Sequence, residues 1–243
     1  MLSPEQRQEY WTEGFLFPVD VAPADEVTAW HDELTRLGET RAEAWKNDEV
    51  DDLHQWLEPI VVRDTIIDKI GCLIGPKLQV QNVDVFVKAP TIRSILPWKR
   101  GRPRIIKPHV DTHFAPPEPD RRITIWIPLA EAKPKHGGLV YYPGSHVALP
   151  DELNLSPKRV TIDRPDFKAL PNTDGVPVLL TPGQMAIHHG RMVHSSGANF
   201  GHSPRIALAI RYQGLGEPVP QSDPSPTNVQ LAEREFPVSW RPC

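Results

Sequence analysis

Cysteine is almost absent from this chain of 243 residues. Cys72 and Cys243 are too few and too far apart for a disulfide framework or a thiolate zinc site. Long apolar runs are missing as well. None approaches the roughly 20 residues that a membrane span requires, and the polar opening from Met1 to Tyr10 lacks the apolar core of a secretory signal. A cytoplasmic protein with no membrane partner is expected. A cationic excess is lacking too, since 27 Lys and Arg face 31 Asp and Glu for a net charge of −4. Neutralising a polyanion needs clustered positive charge, so nucleic acid is not an expected partner. Neither an internal repeat nor a coiled-coil heptad is present.

What the chain does have is punctuation: 28 prolines and 15 glycines favour many short strands over a helical bundle. Helices are expected only at the front. Ser3-Pro4-Glu5-Gln6 reads as a capped start with Gln three residues after the cap, opening a helix to about Glu13. Pro23 opens a second, carrying Val27, Trp30, Leu34 and Leu37 at helical spacing. A third is expected from near Glu58 through Ile66, Ile67, Ile70 and Leu73 to the stop at Gly75-Pro76. Beyond it lie short alternating segments: Leu78 to Lys88, Arg122 to Leu129, Leu139 to Tyr142, Val176 to Leu180, Gln184 to His188, and Arg205 to Tyr212. Strands so spaced predict a sandwich or jelly roll. We expect one domain over 1–243, with a helical support region at 1–76, a jelly-roll core at 77–216 and a polar tail at 217–243 that wraps the surface or stays partly mobile.

The chemistry is concentrated at Pro108-His109-Val110-Asp111. Residues two apart on a strand share a face, so His109 and Asp111 can offer a nitrogen and an oxygen to one ion. His194, just after the strand ending at His188, is the candidate third ligand. Two histidines and a carboxylate on one face of an octahedral ion leave three positions open, the pattern of non-haem Fe(II) oxygenases. Arg205 follows across the turn-rich segment from Ser195 to Pro204. Alternation then groups Arg205, Ala207, Ala209 and Arg211 on one face, opposite Ile206, Leu208, Ile210 and Tyr212. A guanidinium above two alanines suits a bidentate carboxylate, or else an ordinary strand-end ion pair.

The chain resembles the phytanoyl-CoA dioxygenase family of Fe(II)/2-oxoglutarate-dependent oxygenases along most of its length. The resemblance is carried by Leu2-Ser3-Pro4-Glu5-Gln6 and Gly14-Phe15-Leu16-Phe17, then by His109-Val110-Asp111-Thr112-His113-Phe114 and Ile125-Trp126-Ile127-Pro128-Leu129. It continues through Gly137-Gly138-Leu139-Val140-Tyr141-Tyr142-Pro143-Gly144-Ser145-His146, Pro182-Gly183, His188-His189-Gly190-Arg191, His194-Ser195-Ser196-Gly197 and Pro204-Arg205.

That resemblance implies a mainly β fold with flanking α-helices, its core a double-stranded β-helix of the jelly-roll, cupin-like kind under an N-terminal helical layer. It implies Fe(II), 2-oxoglutarate as co-substrate, and O2. His109, Asp111 and His194 would hold the iron, and Arg205 the distal carboxylate of 2-oxoglutarate, with Ser196 and Trp126 against the co-substrate. By alternation Trp126 shares a face with Arg122 and Thr124, away from the aliphatic side, although core packing would also explain a strand tryptophan. The face of Asn82, Asp84, Phe86 and Lys88 suits contacts to co-substrate, for Lys88, or to substrate, for Asn82 and Asp84; a solvated outer face is the alternative. His113 either touches substrate or caps a loop. His136, His146, His188, His189 and His202 read as structural or surface residues. The run Lys99, Arg100, Arg102, Arg104 and Lys107 either steers an anionic small molecule or is a solvated loop. Halogenases of the wider superfamily carry Gly or Ala where Asp111 stands, so the resemblance implies an oxygenase and not a halogenase, with hydroxylation of an unactivated C–H bond and release of succinate and CO2 expected, and desaturation or cyclisation left open. Two other classes remain open at this point: a cupin-like metal enzyme that does not use 2-oxoglutarate, and a non-catalytic jelly-roll binding module. Substrate identity and oligomeric state are not written in the sequence.

Overall fold

Ser3 does what its position predicts. In the computed structural model, which describes residues 1–40, 51–91, 105–111, 121–148, 167–168, 170–215, 230–231 and 238–242, its hydroxyl accepts from the Gln6 N–H at 3.2 Å. Gln6 returns the bond to the Ser3 N–H at 2.9 Å. This reciprocal cap starts α1 (Pro4–Glu13). After β1 (Phe15–Asp20) and α2 (Ala24–Thr40), the single helix expected near Glu58 is in fact two, α3 (Asp51–Val61) and α4 (Asp64–Ile74). The break falls at Arg63, whose backbone is extended at φ −62° and ψ 128°. Its guanidinium holds both oxygens of Glu26 at 2.7 Å and the Val21 carbonyl at 3.2 Å. Pairing with a distant residue outweighs the helical period of the surrounding sequence.

The strands follow as β2 (Lys77–Lys88), β3 (Ile106–His109), β4 (Arg122–Pro128) and β5 (Leu139–Tyr141), with the short α5 (Ser145–Ala148) leading to β6 (Val176–Pro177), β7 (Gln184–His189), β8 (His194–Ser196) and β9 (Arg205–Leu215). The tail adds β10 (Gln230–Leu231) and β11 (Val238–Pro242). They form two sheets. The larger runs β1-β7-β4-β9-β2-β10, with β11 also on β2, and the smaller runs β3-β8-β5-β6. The protein is thus mainly β with flanking helices, a jelly roll as expected. Four strands were not anticipated: β1, which contains Pro18, β8, which carries His194, and the two tail strands, which lie in a Pro- and Ser-rich stretch yet pair in parallel with β2.

The two faces of the larger sheet have different jobs. Its outer face, including Val83, Val85, Ile123, Ile125, Leu208 and Ile210, packs against Ile66, Ile70 and Leu73 of α4 and the apolar stripe of α2. Each fully buried aliphatic side chain there is worth about 1.5–3 kcal/mol. The inner face carries Trp126, Ala186, Ala207 and Ala209 toward Leu139 and Tyr141 of the smaller sheet. The helical layer therefore supports the sheet from outside and leaves the interior to polar side chains. The end of α4 lies tight against β9 at Gly214, where a Cβ would sit 2.0 Å from the Ile74 carbonyl oxygen. Gly214→Ala is expected to push helix from sheet and cost about 1–3 kcal/mol, read as a lower urea midpoint at unchanged slope.

Candidate metal centre

β3 and β8 run antiparallel with His109 opposite His194, and the two imidazole centroids lie 4.2 Å apart. Asp111 is not on the strand, contrary to the face-sharing argument from sequence. β3 ends at His109 and the chain bends at Asp111, so the turn, more than strand parity, brings the carboxylate in. One donor atom from each of His109, Asp111 and His194 falls within 4.8 Å of the others.

The rings are prepared as ligands by their backbones. Nδ1 of His109 lies 2.9 Å from the Lys107 carbonyl, and Nδ1 of His194 lies 3.0 Å from that of Met192. A carbonyl can only accept, so each Nδ1 carries the proton and each Nε2 keeps its lone pair for a metal. Burial lowers both imidazoles to about 4, helped at His109 by the neighbouring His194 and at His194 by His188. Both are neutral near pH 7. A nitrogen and oxygen set of this kind, without thiolate, fits Fe(II).

Asp111 is held from three strands. Its Oδ2 accepts from the Thr124 hydroxyl at 2.7 Å and from His188 Nε2 at 3.1 Å. Its Oδ1 accepts from the Arg211 guanidinium at 3.0 Å and lies 3.9 Å from His194 Nε2. Sheet register explains the convergence, because Arg211, Thr124 and His188 are successive cross-strand neighbours on β9, β4 and β7. Burial alone would raise the Asp111 carboxyl, but Arg211, His194 and His188 hold it well below the usual carboxylate range. Burial lowers His188 against the pull of Asp111. As a neutral ring it donates through Nε2 to Asp111, and its Nδ1 accepts from the Tyr141 hydroxyl at 2.9 Å.

At the other end of the same face, Lys88 stands opposite Arg205. Lys88 is fully buried, and its ammonium donates to the Ser196 hydroxyl at 2.5 Å and to the Gly197 carbonyl at 2.7 Å. Arg205 donates to the Gly137 carbonyl at 3.1 Å and lies 5.4 Å over the Trp126 ring. Gly137, at φ +71°, would place a Cβ 2.6 Å from Lys88 Cδ. Only glycine lets that loop close over the two cations. Trp126, Ser196, Lys88 and Arg205 thus meet as a group.

The remaining expectations divide. Asn82 and Asp84 do face inward, but the Asp84 carboxylate is taken by Asn82 at 3.1 Å and by Arg211. His113 and the basic residues Lys99, Arg100, Arg102 and Arg104 lie outside the described residues. Lys107 is exposed and contributes its carbonyl to His109. His146 bonds the Trp11 carbonyl and His136 that of Glu131. His188 is no bystander, since it touches Asp111. Arg211 and Thr124 were assigned no role, although their place on the inward face beside Arg205 and Trp126 was the available signal.

A jelly roll with two histidines and an aspartate gathered inside it defines the fold and donor set of a non-haem iron oxygenase. The sequence profile of the phytanoyl-CoA dioxygenase (PhyH) family matches residues 10–207, and this chain belongs to that family. It is thereby an Fe/2-oxoglutarate-dependent oxygenase. A probable alpha-ketoglutarate-dependent hypophosphite dioxygenase of Stutzerimonas stutzeri is 26% identical over 232 residues, covering 86% of this chain and 77% of that protein. Among solved structures, the epimerase SnoN in complex with Fe3+, alpha ketoglutarate and nogalamycin RO aligns with TM-score 0.67 and 23% identity. That alignment covers 90% of this chain and 86% of SnoN. The non-heme monooxygenase ThoJ in its nickel complex gives 0.65 and 23%, over 86% and 77%. At such identities the two structures attest the fold. No helix among the described residues is long and apolar enough to cross a membrane.

Proposed function

We propose that this chain, acting as one oxygenase domain over its length, hydroxylates an unactivated C–H bond of a small molecule, with His109, Asp111 and His194 as the iron ligands. The observation that carries the reading is the gathering of three donor atoms within 4.8 Å, two of them from the smaller sheet, in a jelly roll whose larger sheet bears Lys88 and Arg205. Bound iron and 2-oxoglutarate would supply the oxidising power, O2 being reduced as the keto acid becomes succinate and CO2. The protein's own part is binding and orientation. His109 and His194 present unprotonated nitrogens, and Asp111 presents a charge that Arg211 stabilises. Arg205 grips the distal carboxylate of 2-oxoglutarate, Lys88 and Ser196 complete that end, and Trp126 forms the wall between. Ala207 and Ala209 leave the room. Asn82, which stands opposite Arg211, faces the substrate side.

The hypophosphite enzyme among the relatives favours a small, oxygen-rich substrate for the panel, while an epimerase among the structural neighbours shows why product must be identified as well as turnover. The test is an anaerobic titration with Fe(II) and 2-oxoglutarate, watched for a metal-to-ligand charge-transfer band. A panel of small carboxylates and phosphorus oxyanions is then scored by succinate release and by product mass. A band with a product 16 mass units heavier is expected. Absence of the band from reconstituted apoprotein defeats the reading, and a product of unchanged mass with succinate release defeats hydroxylation.

A further inference from the structure

The proposed reaction uses Arg211 to stabilise the charge of Asp111 and leaves its second arm unexplained. One arm of its guanidinium donates to Asp84 Oδ2, and the other to Asp111 Oδ1 at 3.0 Å. Asp84 is 1% exposed, and the Asn82 amide fixes the same oxygen at 3.1 Å. Register accounts for the reach. Asn82 stands opposite Arg211, while Asp84 stands opposite Ala209, whose methyl leaves space for the guanidinium to lie diagonally between strands.

A substrate anchor is the obvious role for an arginine whose side chain keeps 22% exposure beside the ligands. Geometry argues against it, because both arms of the guanidinium are already taken by carboxylate oxygens. The bonds on Asp111 argue for another role. Thr124 and His188 occupy Oδ2. Arg211 takes one side of Oδ1, and the remaining lone pair of that oxygen is left for the side where His194 lies at 3.9 Å.

We propose that Asp84 and Arg211 act as one positioning unit that fixes the Asp111 carboxylate as a single-oxygen metal ligand, with Asp84 acting through Arg211. The inference rests on the ligand assignment above. Partners behind a metal ligand typically change metal affinity by about 10–100-fold when lost. A two-armed fork cannot be replaced by a point charge.

The test is an anaerobic Co(II) titration of apoprotein by calorimetry and visible absorption, without co-substrate or turnover. Asp84→Asn and Arg211→Met are each expected to weaken Co(II) binding about 10–100-fold, to alter the Co(II) d–d spectrum, and in combination to be no worse than Arg211→Met alone. Arg211→Lys, keeping the charge but losing the fork, is expected to weaken binding too. A bare charge effect predicts opposite signs, with Arg211→Met tightening and Asp84→Asn weakening. The proposal is overturned if Arg211→Met or Arg211→Lys binds Co(II) as tightly as the wild type, if the two single effects add, or if only thermal stability changes. Should Arg211→Met not fold, Arg211→Lys and Asp84→Asn decide the same question. Wild-type protein that binds no Co(II) takes down the ligand assignment itself, whereas equal binding by wild type and variants removes only the positioning role.

Discussion

Asp111→Ala is expected to leave a folded protein whose iron-dependent turnover has fallen by about 10³-fold or more. A metal supplies several kcal/mol of rate acceleration, and each 1.36 kcal/mol is a factor of ten. With the carboxylate gone, two imidazoles remain, and a pair of neutral ligands holds Fe(II) weakly. The fold should survive, because Arg211 keeps its bond to Asp84. The cost falls on the Thr124 hydroxyl, the His188 N–H and the second arm of Arg211, which lose an acceptor at about 1–3 kcal/mol each. Part of that is returned, since a buried charge no longer has to be desolvated. The measurement is Co(II) affinity and succinate release beside a thermal melt. Loss of both with a transition lowered by only a few degrees is the expected pattern. Turnover within tenfold of wild type would mean that the iron is held elsewhere.

What the sequence disclosed and what it hid divide along a physical line. Alternation in Arg205 to Tyr212 is a property of one strand, so it correctly set Arg205, Ala207, Ala209 and Arg211 on the face opposite the aliphatic core. Which neighbours that face meets depends on register with β2 and β4, fixed by contacts far apart in the chain. That is why Asp84 and Asp111 could not be read as the partners of Arg211. His188 was obscured for the same reason, since nothing in His188-His189 tells which imidazole turns inward to Asp111 and which packs near Trp11 and Tyr10. The His109 and Asp111 pair was legible through a strand parity that in fact ends two residues too early, at His109. The tail strands were missed because edge pairing to β2 uses backbone groups, which leave no trace in an apolar pattern. Motif order along the chain made the donor set legible, whereas the side chains that aim it were legible only as members of a face.

Arg205→Ala should act on the opposite end of the interior. The guanidinium is buried over Trp126 and held by the Gly137 carbonyl, a setting in which charge-assisted bonds to a carboxylate are worth about 1.5–3 kcal/mol each. Losing such a fork is expected to raise the dissociation constant of 2-oxoglutarate by about 10²-fold, with Co(II) affinity of the apoprotein unchanged. Arg205→Lys should fall between, since it restores charge without the two parallel donors. Lys88 does not rescue the loss, because its ammonium is spent on Ser196 and Gly197 and sits beneath the Gly137 loop. The pairing of results is what discriminates. Variants at Asp84 and Arg211 should move metal binding, and variants at Arg205 should move co-substrate binding at constant metal affinity. A cupin-like enzyme indifferent to 2-oxoglutarate would show no co-substrate affinity to lose. If Arg205→Ala weakened Co(II) and 2-oxoglutarate together, the interior could not be treated as two separable ends joined by Trp126 and the alanine floor.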